Sequence, residues 1–270
     1  MSTVQLVNKE THLAKTWSRF TDYRFAAGRM VATLGAAEVG RSALAMPLAF
    51  TEIGGPLSLV AVLGLRPNQN VFVGPDGNWL GSYVPAVFRG YPFKLAATGE
   101  NQLSLCVDES SGLVQEGGVG ERFFNEDGAP AKAVTDIFEF LQKTQSSQEI
   151  VNRAARVLQE HQLLEAWPLK VRDGEQEQEL NGLLRVNEAA LNQAEGDVLL
   201  QLRNAGALPL AYAQLLSMQN MKVIANFSQA HARHQESQVR AQQAQPFYLK
   251  EEQEESIDWN AIFTGENKTG

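Results

Sequence analysis

Leu57-Ser58-Leu59-Val60-Ala61-Val62, then Val71-Phe72-Val73, then Leu103-Ser104-Leu105-Cys106-Val107 are the clusters whose reading decides the fold. Each is short, rich in branched or aromatic side chains, and bounded by proline, glycine or charge. Such side chains pack well on a pleated surface, so these runs read as strands. Between Val73 and Trp79 lies Pro75-Asp76-Gly77. Proline presets φ there and glycine tolerates positive φ, so Val71 to Val84 reads as a hairpin. Upstream, the alanine-rich stretch Ala26 to Met46, with Leu34, Val39 and Leu44, predicts a short helix that Pro47 ends.

Downstream of Pro130 the periodicity changes. Val134, Ile137, Phe138 and Leu141 recur at spacings of three and four, which places them on one helical stripe. Val151, Ala155 and Leu158 continue a similar stripe after a polar break at Ser146-Ser147. Leu169 to Arg172 and Leu180 to Val186 flank Asp173-Gly174, a strong hairpin dipeptide, and predict a second, smaller ribbon. Asn187-Glu188 is an acceptable helix cap, and helices are expected over 188–193, 197–204 and 208–227, with Gly206 as the stop between the last two. The predicted class is α+β: short antiparallel strands and hairpins in the first half, a second small β-hairpin, a helical C-terminal half and an extended tail.

The tail begins where the composition shifts. Gln229 to Gln245 is almost entirely glutamine, alanine, histidine and arginine, with Val239 as its only large apolar residue, so it cannot bury itself. Two domains of unequal character follow: a single α+β domain over 1–228 and a polar, acidic tail over 229–270. Within the tail, Phe247, Tyr248 and Leu249 form one apolar cluster, and Ile257, Trp259, Ile262 and Phe263 form another. Aromatic anchors among acids suit a segment that orders against a protein partner. Docking back onto its own domain or onto a sister subunit is the equal alternative.

Composition removes several classes. The 270 residues are 44% apolar, enough for a sizeable core, and 23 basic against 31 acidic side chains give a formal charge of -8. A negative field repels phosphate backbones, so no nucleic-acid partner is expected. A single cysteine, Cys106, excludes intramolecular disulfides and multi-thiolate zinc cages, and its apolar neighbours predict a small buried hydrophobe. No metal site or cofactor is expected. Lys9, Glu10, Lys15, Arg19, Asp22 and Arg24 interrupt the first 25 residues, so no secretory core can be drawn there. Leu57 to Leu65 is far too short for a transmembrane segment. The expected compartment is the cytoplasm, with export lacking a cleaved N-terminal signal as the alternative.

Several ordered pieces carry a family resemblance. Leu63-Gly64-Leu65-Arg66-Pro67 leads to Asn70-Val71-Phe72-Val73, then Asp76-Gly77-Asn78-Trp79, Tyr83-Val84-Pro85 and Arg89-Gly90-Tyr91-Pro92-Phe93. Leu105-Cys106-Val107-Asp108-Glu109, Phe124-Asn125-Glu126-Asp127-Gly128, Gly182 to Glu188 and Leu210-Ala211-Tyr212 follow in the same order. Together they resemble the bacterial SapC family from about residue 7 to 226, with Gly90 and Leu184 as mild departures. The family is named from a surface-layer locus. The resemblance carries no residue-by-residue activity. It implies an accessory role beside halogenase-like and iron-hydroxylase-like proteins and TonB-dependent receptors, in envelope or uptake systems.

The densest cluster of recognition side chains is Arg66, Trp79, Tyr83, Arg89 and Tyr91. Aromatic faces stack on apolar rings and arginine forks hold carboxylates, so the cluster is a candidate small-molecule surface. Core filling by Trp79 and Tyr83 is the competing reading. His231 and His234 share a helical side but sit in polar sequence, and His12 and His161 stand alone. Asp108-Glu109 and Glu126-Asp127 read as turn caps, and Gly117-Gly118-Val119-Gly120 as a loop without the lysine of a phosphate cradle. The expected function is that of a noncatalytic accessory protein. The alternative is an enzyme or enzyme subunit acting on a carbohydrate-derived or amino-acid-derived small molecule.

If the tail serves another protein, deleting residues 246–270 leaves the melting temperature almost unchanged in a calorimetric scan. A loss of several degrees would show docking on the chain's own body.

Overall fold

The computed structural model describes residues 3–99, 102–173 and 176–243, and the chain divides into a body, Met1–Ala232, and a second unit from Arg233. The body opens with β1 (Val4–Leu6), α1 (Lys9–His12), β2 (Lys15–Trp17), β3 (Val31–Thr33), α2 (Val39–Ala45), β4 (Leu48–Thr51) and β5 (Ser58–Val62). Next come α3 (Ala86–Arg89), β6 (Phe93–Gly99), β7 (Gln102–Asp108), β8 (Val114–Glu116), β9 (Glu121–Arg122) and α4 (Lys132–Glu160). The chain continues with β10 (Leu164–Ala166), β11 (Leu169–Asp173), β12 (Gln176–Leu180), β13 (Leu183–Val186), α5 (Glu188–Asn192), α6 (Gly196–Asn204), α7 (Ala207–Ser217) and α8 (Met221–Gln243). The fold is α+β, with every strand pairing antiparallel.

The central sheet has the order β10-β13-β4-β5-β3. Its inner strands carry Leu48, Ala49 and Phe50 opposite Leu59 to Val62, all buried, which is why these runs are apolar at successive positions rather than alternating. A second, smaller core gathers Trp17, Phe93, Leu105, Val107 and Phe123 from the sheets β1-β7-β6 and β8-β2-β9. Helix α4 serves both. Its N-terminal half contributes Val134, Ile137, Phe138 and Leu141 to the small core, and its C-terminal half gives Val151, Ala154, Ala155 and Leu158 to the large one. The polar pair Ser146-Ser147 marks the crossover rather than a break: the 29-residue helix runs through it, and Ser147 Oγ accepts from Ala37 N at 3.0 Å.

Other local expectations change for identifiable reasons. The 71–84 hairpin shrinks to one bridge, Val73 to Trp79, closed by Gly74 N to Asn78 O at 2.8 Å and Leu80 N to Phe72 O at 2.8 Å. Beyond it the Trp79 indole donates to Tyr83 O at 2.7 Å, and the ladder stops. In the alanine-rich stretch the helix is confined to a 3-10 turn at Ala36–Glu38 and the α-helix Val39–Ala45; Val31–Thr33, with β-branched residues on either side of Ala32, pairs with β5 instead. The predicted far strand 180–186 is not the partner of Leu169 to Arg172: the ribbon is closed by β12, Gln176–Leu180, whereas β13, after Gly182 at φ +90, joins the central sheet. Asn187 caps α5 through Ala190 N, Gly206 at φ +71 separates α6 from α7, and α8 runs on past Phe227 to Gln243. Among the described residues no helix is long and apolar enough to cross a membrane. Phe247, Tyr248, Leu249, Ile257, Trp259, Ile262 and Phe263 lie outside the described residues.

Gly64 sets the exit from β5. A Cβ there would meet Gln69 O at 2.0 Å, backbone that cannot step aside, whereas one at Gly40, inside α2, would meet nothing within 4 Å. Gly64→Ala is therefore expected to lose at least about 2 kcal/mol in urea unfolding, and Gly40→Ala to gain up to about 1 kcal/mol.

Candidate functional site

Three of the five predicted recognition residues meet at Tyr83, which in turn reaches a buried carboxylate that sequence reasoning passed over. Glu38 is buried at the end of the turn before α2; one oxygen accepts from Ala86 N at 3.0 Å and lies 3.4 Å from the Tyr83 hydroxyl, and the other accepts from Gly35 N at 3.4 Å. The Arg89 guanidinium donates to Tyr83 OH at 3.2 Å and lies over the Phe140 ring of α4, while Trp79 holds the Tyr83 carbonyl. Burial pushes the Glu38 carboxyl up, against the opposing pull of these donors. Burial and the neighbouring Glu38 charge likewise raise the Tyr83 phenol. This network ties the 35–38 turn to the segment entering α3. Arg66 sits on the exposed loop after Gly64 and takes no part in these contacts.

Tyr91 turns the other way. Its ring lies on Phe25 at 3.9 Å between centroids and 3° between planes, and Phe25 also meets Phe20 and Phe88 edge-on. The stacked pair forms one wall of a cleft of about 600 Å³, a size that accommodates a small molecule or short peptide. Other walls come from β3, from Val87 and Phe88 of α3, and from the start of β6. Two exposed cations, Arg29 and Lys94, line it, and their side chains make no hydrogen bond or ion pair among the described residues. Asp108 is also present, and its carboxylate accepts from Ser110 N at 3.1 Å and Ser110 Oγ at 2.6 Å. Burial, then the Asp108 charge, raises the Tyr91 phenol. Trp79 backs the cleft through its ring contact with Phe88.

Of these cleft-lining residues the sequence reading named Tyr91 and did not name Phe25, Arg29 or Lys94. Phe20, Tyr23 and Phe25 form a visible aromatic run, but residues 29 and 94 are brought together only by the fold.

Elsewhere the ionisable groups are engaged in holding loops. His12 is fully buried against Phe123, with Nδ1 2.7 Å from Thr11 Oγ1 and Nε2 3.1 Å from Glu109 Oε1, too poorly aligned for a good hydrogen bond. Burial lowers its pKa. Lys15 Nζ meets the same Glu109 oxygen at 2.7 Å, so Glu109 is an ion-pair partner rather than the turn cap expected of it. Asp127 does cap its turn, accepting from Ala129 N, while Glu126 lies 3.4 Å from Arg122. His161 meets Gln201, His231 meets the Val71 carbonyl and His234 meets Gln238. Cys106 is buried, and burial raises its thiol pKa.

A model of the SapC family matches residues 7–224, and the chain belongs to that family. No curated protein and no solved structure matches it.

Because the folded state holds the Glu38 proton more tightly than the unfolded chain, its contribution is fully present below the ordinary glutamate pKa of about 4.3. It is lost as pH rises through the higher folded value. The stability of wild type minus that of Glu38→Gln, from urea unfolding between pH 4 and 7.5, should therefore fall with rising pH. Differencing cancels His12, whose depressed pKa acts in the opposite sense. A difference that does not vary with pH would show that the donors around Glu38 fully offset its burial.

Proposed function

We propose that this SapC-family protein works by binding rather than by chemistry, recognising an anionic, partly apolar ligand in the cleft between β3 and β6. The observation that carries this reading is the pair of unengaged cations, Arg29 and Lys94, beside the stacked rings of Phe25 and Tyr91. A guanidinium fork suits a carboxylate, and an aromatic face suits the apolar part of the same ligand. Against a chain charge of -8, a cleft whose unengaged side chains are both cationic is a local inversion that favours an anion.

Trp79, Tyr83 and Arg89 support this cleft from behind: the Glu38 network holds the entry to α3, and α3 supplies Phe88. The carboxylates in and behind the cleft are already engaged, Glu38 by the Gly35 and Ala86 amides and Asp108 by Ser110, which favours binding over proton transfer. The family resemblance supplies the setting, an accessory role in bacterial envelope or TonB-dependent uptake systems. The aromatic residues Phe247 to Phe263 are a second recognition element in this reading, argued from composition alone.

Titration calorimetry with N-acetyl-phenylalanyl-glutamate, which combines a ring with carboxylates, tests the cleft. Arg29→Ala combined with Lys94→Ala should weaken binding about tenfold or more, roughly 1.4 kcal/mol. Lys222→Ala, which removes an exposed cation from α8, should leave it unchanged. No binding to the wild type, or equal binding by the double variant, overturns anion recognition in the cleft.

A further inference from the structure

We infer that the ligand of this cleft is an extended acidic peptide segment of a partner protein, added as a further strand along β3; the inference rests on the binding reading above. Strand β3 is the edge of the central sheet, and its ladder shows which groups are left over. Leu34 N donates to Leu59 O at 3.0 Å and Leu63 N to Met30 O at 2.7 Å. In an antiparallel pair, bonded and non-bonded positions alternate. Met30, Ala32 and Leu34 therefore bond to β5, and the N–H and C=O groups of Val31 and Thr33 point to the opposite side. None of these four groups makes a backbone hydrogen bond among the described residues.

Open edges are normally blunted by charge, proline, a bulge or a covering segment, because their polar groups seek another strand. Val31-Ala32-Thr33 carries no charge and no proline, and its register with β5 is regular. The edge is also recessed: Val31, Ala32 and Thr33 line the cleft, Ala32 is buried and the other two are half-buried. Thr33 Oγ1 accepts from Gln148 of α4 at 3.1 Å, so α4 reaches the C-terminal end of the strand. What fits is a run of three or four residues, roughly 10–13 Å long. A second copy, whose own β3 is equally recessed, cannot bring edge to edge. Arg29 at the start of the strand and Lys94 on β6 select acidic side chains, and the Phe25–Tyr91 wall receives an apolar one. Main-chain pairing would supply affinity and these side chains specificity.

A phage-displayed library of random dodecapeptides selected against the full chain tests this, with the enriched peptides measured by fluorescence polarisation. Enrichment of acidic, proline-free sequences is expected. Methylating alternate peptide nitrogens should weaken them at least tenfold. Val31→Pro, which removes an outward N–H and leaves the β5 bonds in place, should do the same, while Val31→Ala stays within about twofold. If Val31→Pro fails to fold, the methylated peptides still decide. Peptides that tolerate both changes but are lost in Arg29→Ala with Lys94→Ala overturn strand addition and leave anion recognition standing. Insensitivity to all of these overturns both. Selection of sequences without acidic residues, or of sequences matching Phe247–Phe263 of the chain itself, overturns the acidic partner segment.

Discussion

Helix α4 is the constraint on which the rest of the body depends, because one rigid rod closes two separate cores. At about 1.5 Å per residue its 29 residues span roughly 43 Å. Its first turns pack Val134, Ile137, Phe138 and Leu141 onto the core that holds Trp17, Phe93 and Phe123. The far turns then cover β5 with Val151, Ala154, Ala155 and Leu158. Between the two stretches the helix is polar where it meets a turn rather than a core. A Cβ at Gly35 would sit 2.6 Å from Ser147 Oγ, so glycine on one side and serine on the other permit the close approach.

The cleft follows from this two-core arrangement. β3 ends one sheet and β6 ends another, and both edges line the same depression, with α3 and the Phe25–Tyr91 stack completing it. The same helix reaches its surroundings at several points: Phe140 lies under Arg89, Leu141 leaves no room for a side chain at Gly90, and Gln148 holds Thr33. Among the described residues most side-chain polar groups removed from water have partners, His12 Nε2, Trp17 Nε1 and Ser42 Oγ being the exceptions. Asn70 joins Ala26 O to Phe72 N, and Gln214 joins Val186 N to Leu48 O. Buried amides and carboxylates used in this way fix loop positions, since leaving any one unsatisfied costs more than the bond contributes. The Arg29 and Lys94 side chains, by contrast, have no hydrogen-bond or ion-pair partner among the described residues.

Much of the architecture is legible from neighbouring residues. The α+β class, the strand at 58–62, the strand around Leu103 to Val107, the ribbon about Asp173-Gly174, the Asn187 cap and the Gly206 stop all rest on local chemistry. So does the family, carried by short ordered motifs. Failures occur where a distant partner outweighs local preference. Val31–Thr33 lies in an alanine-rich stretch and pairs with Val60 to Val62, and Leu183–Val186 pairs with β4 and β10 and not with the ribbon.

The sequence by itself determined which segments are helical or extended over most of the chain, where turns and stops fall, that Cys106 would be a buried thiol, and which family the chain belongs to. These depend on side-chain shape, φ preferences and spacing within a few residues. Only the tertiary structure decided that Tyr83, held by Trp79 and Arg89, reaches Glu38, and that Arg29, Lys94 and Tyr91 line one cleft. It also decided that β3 ends the central sheet among the described strands and lines that cleft. Those contacts join residues tens of positions apart, and their register is set by which faces can be buried together, a property of the packed whole that no local window contains.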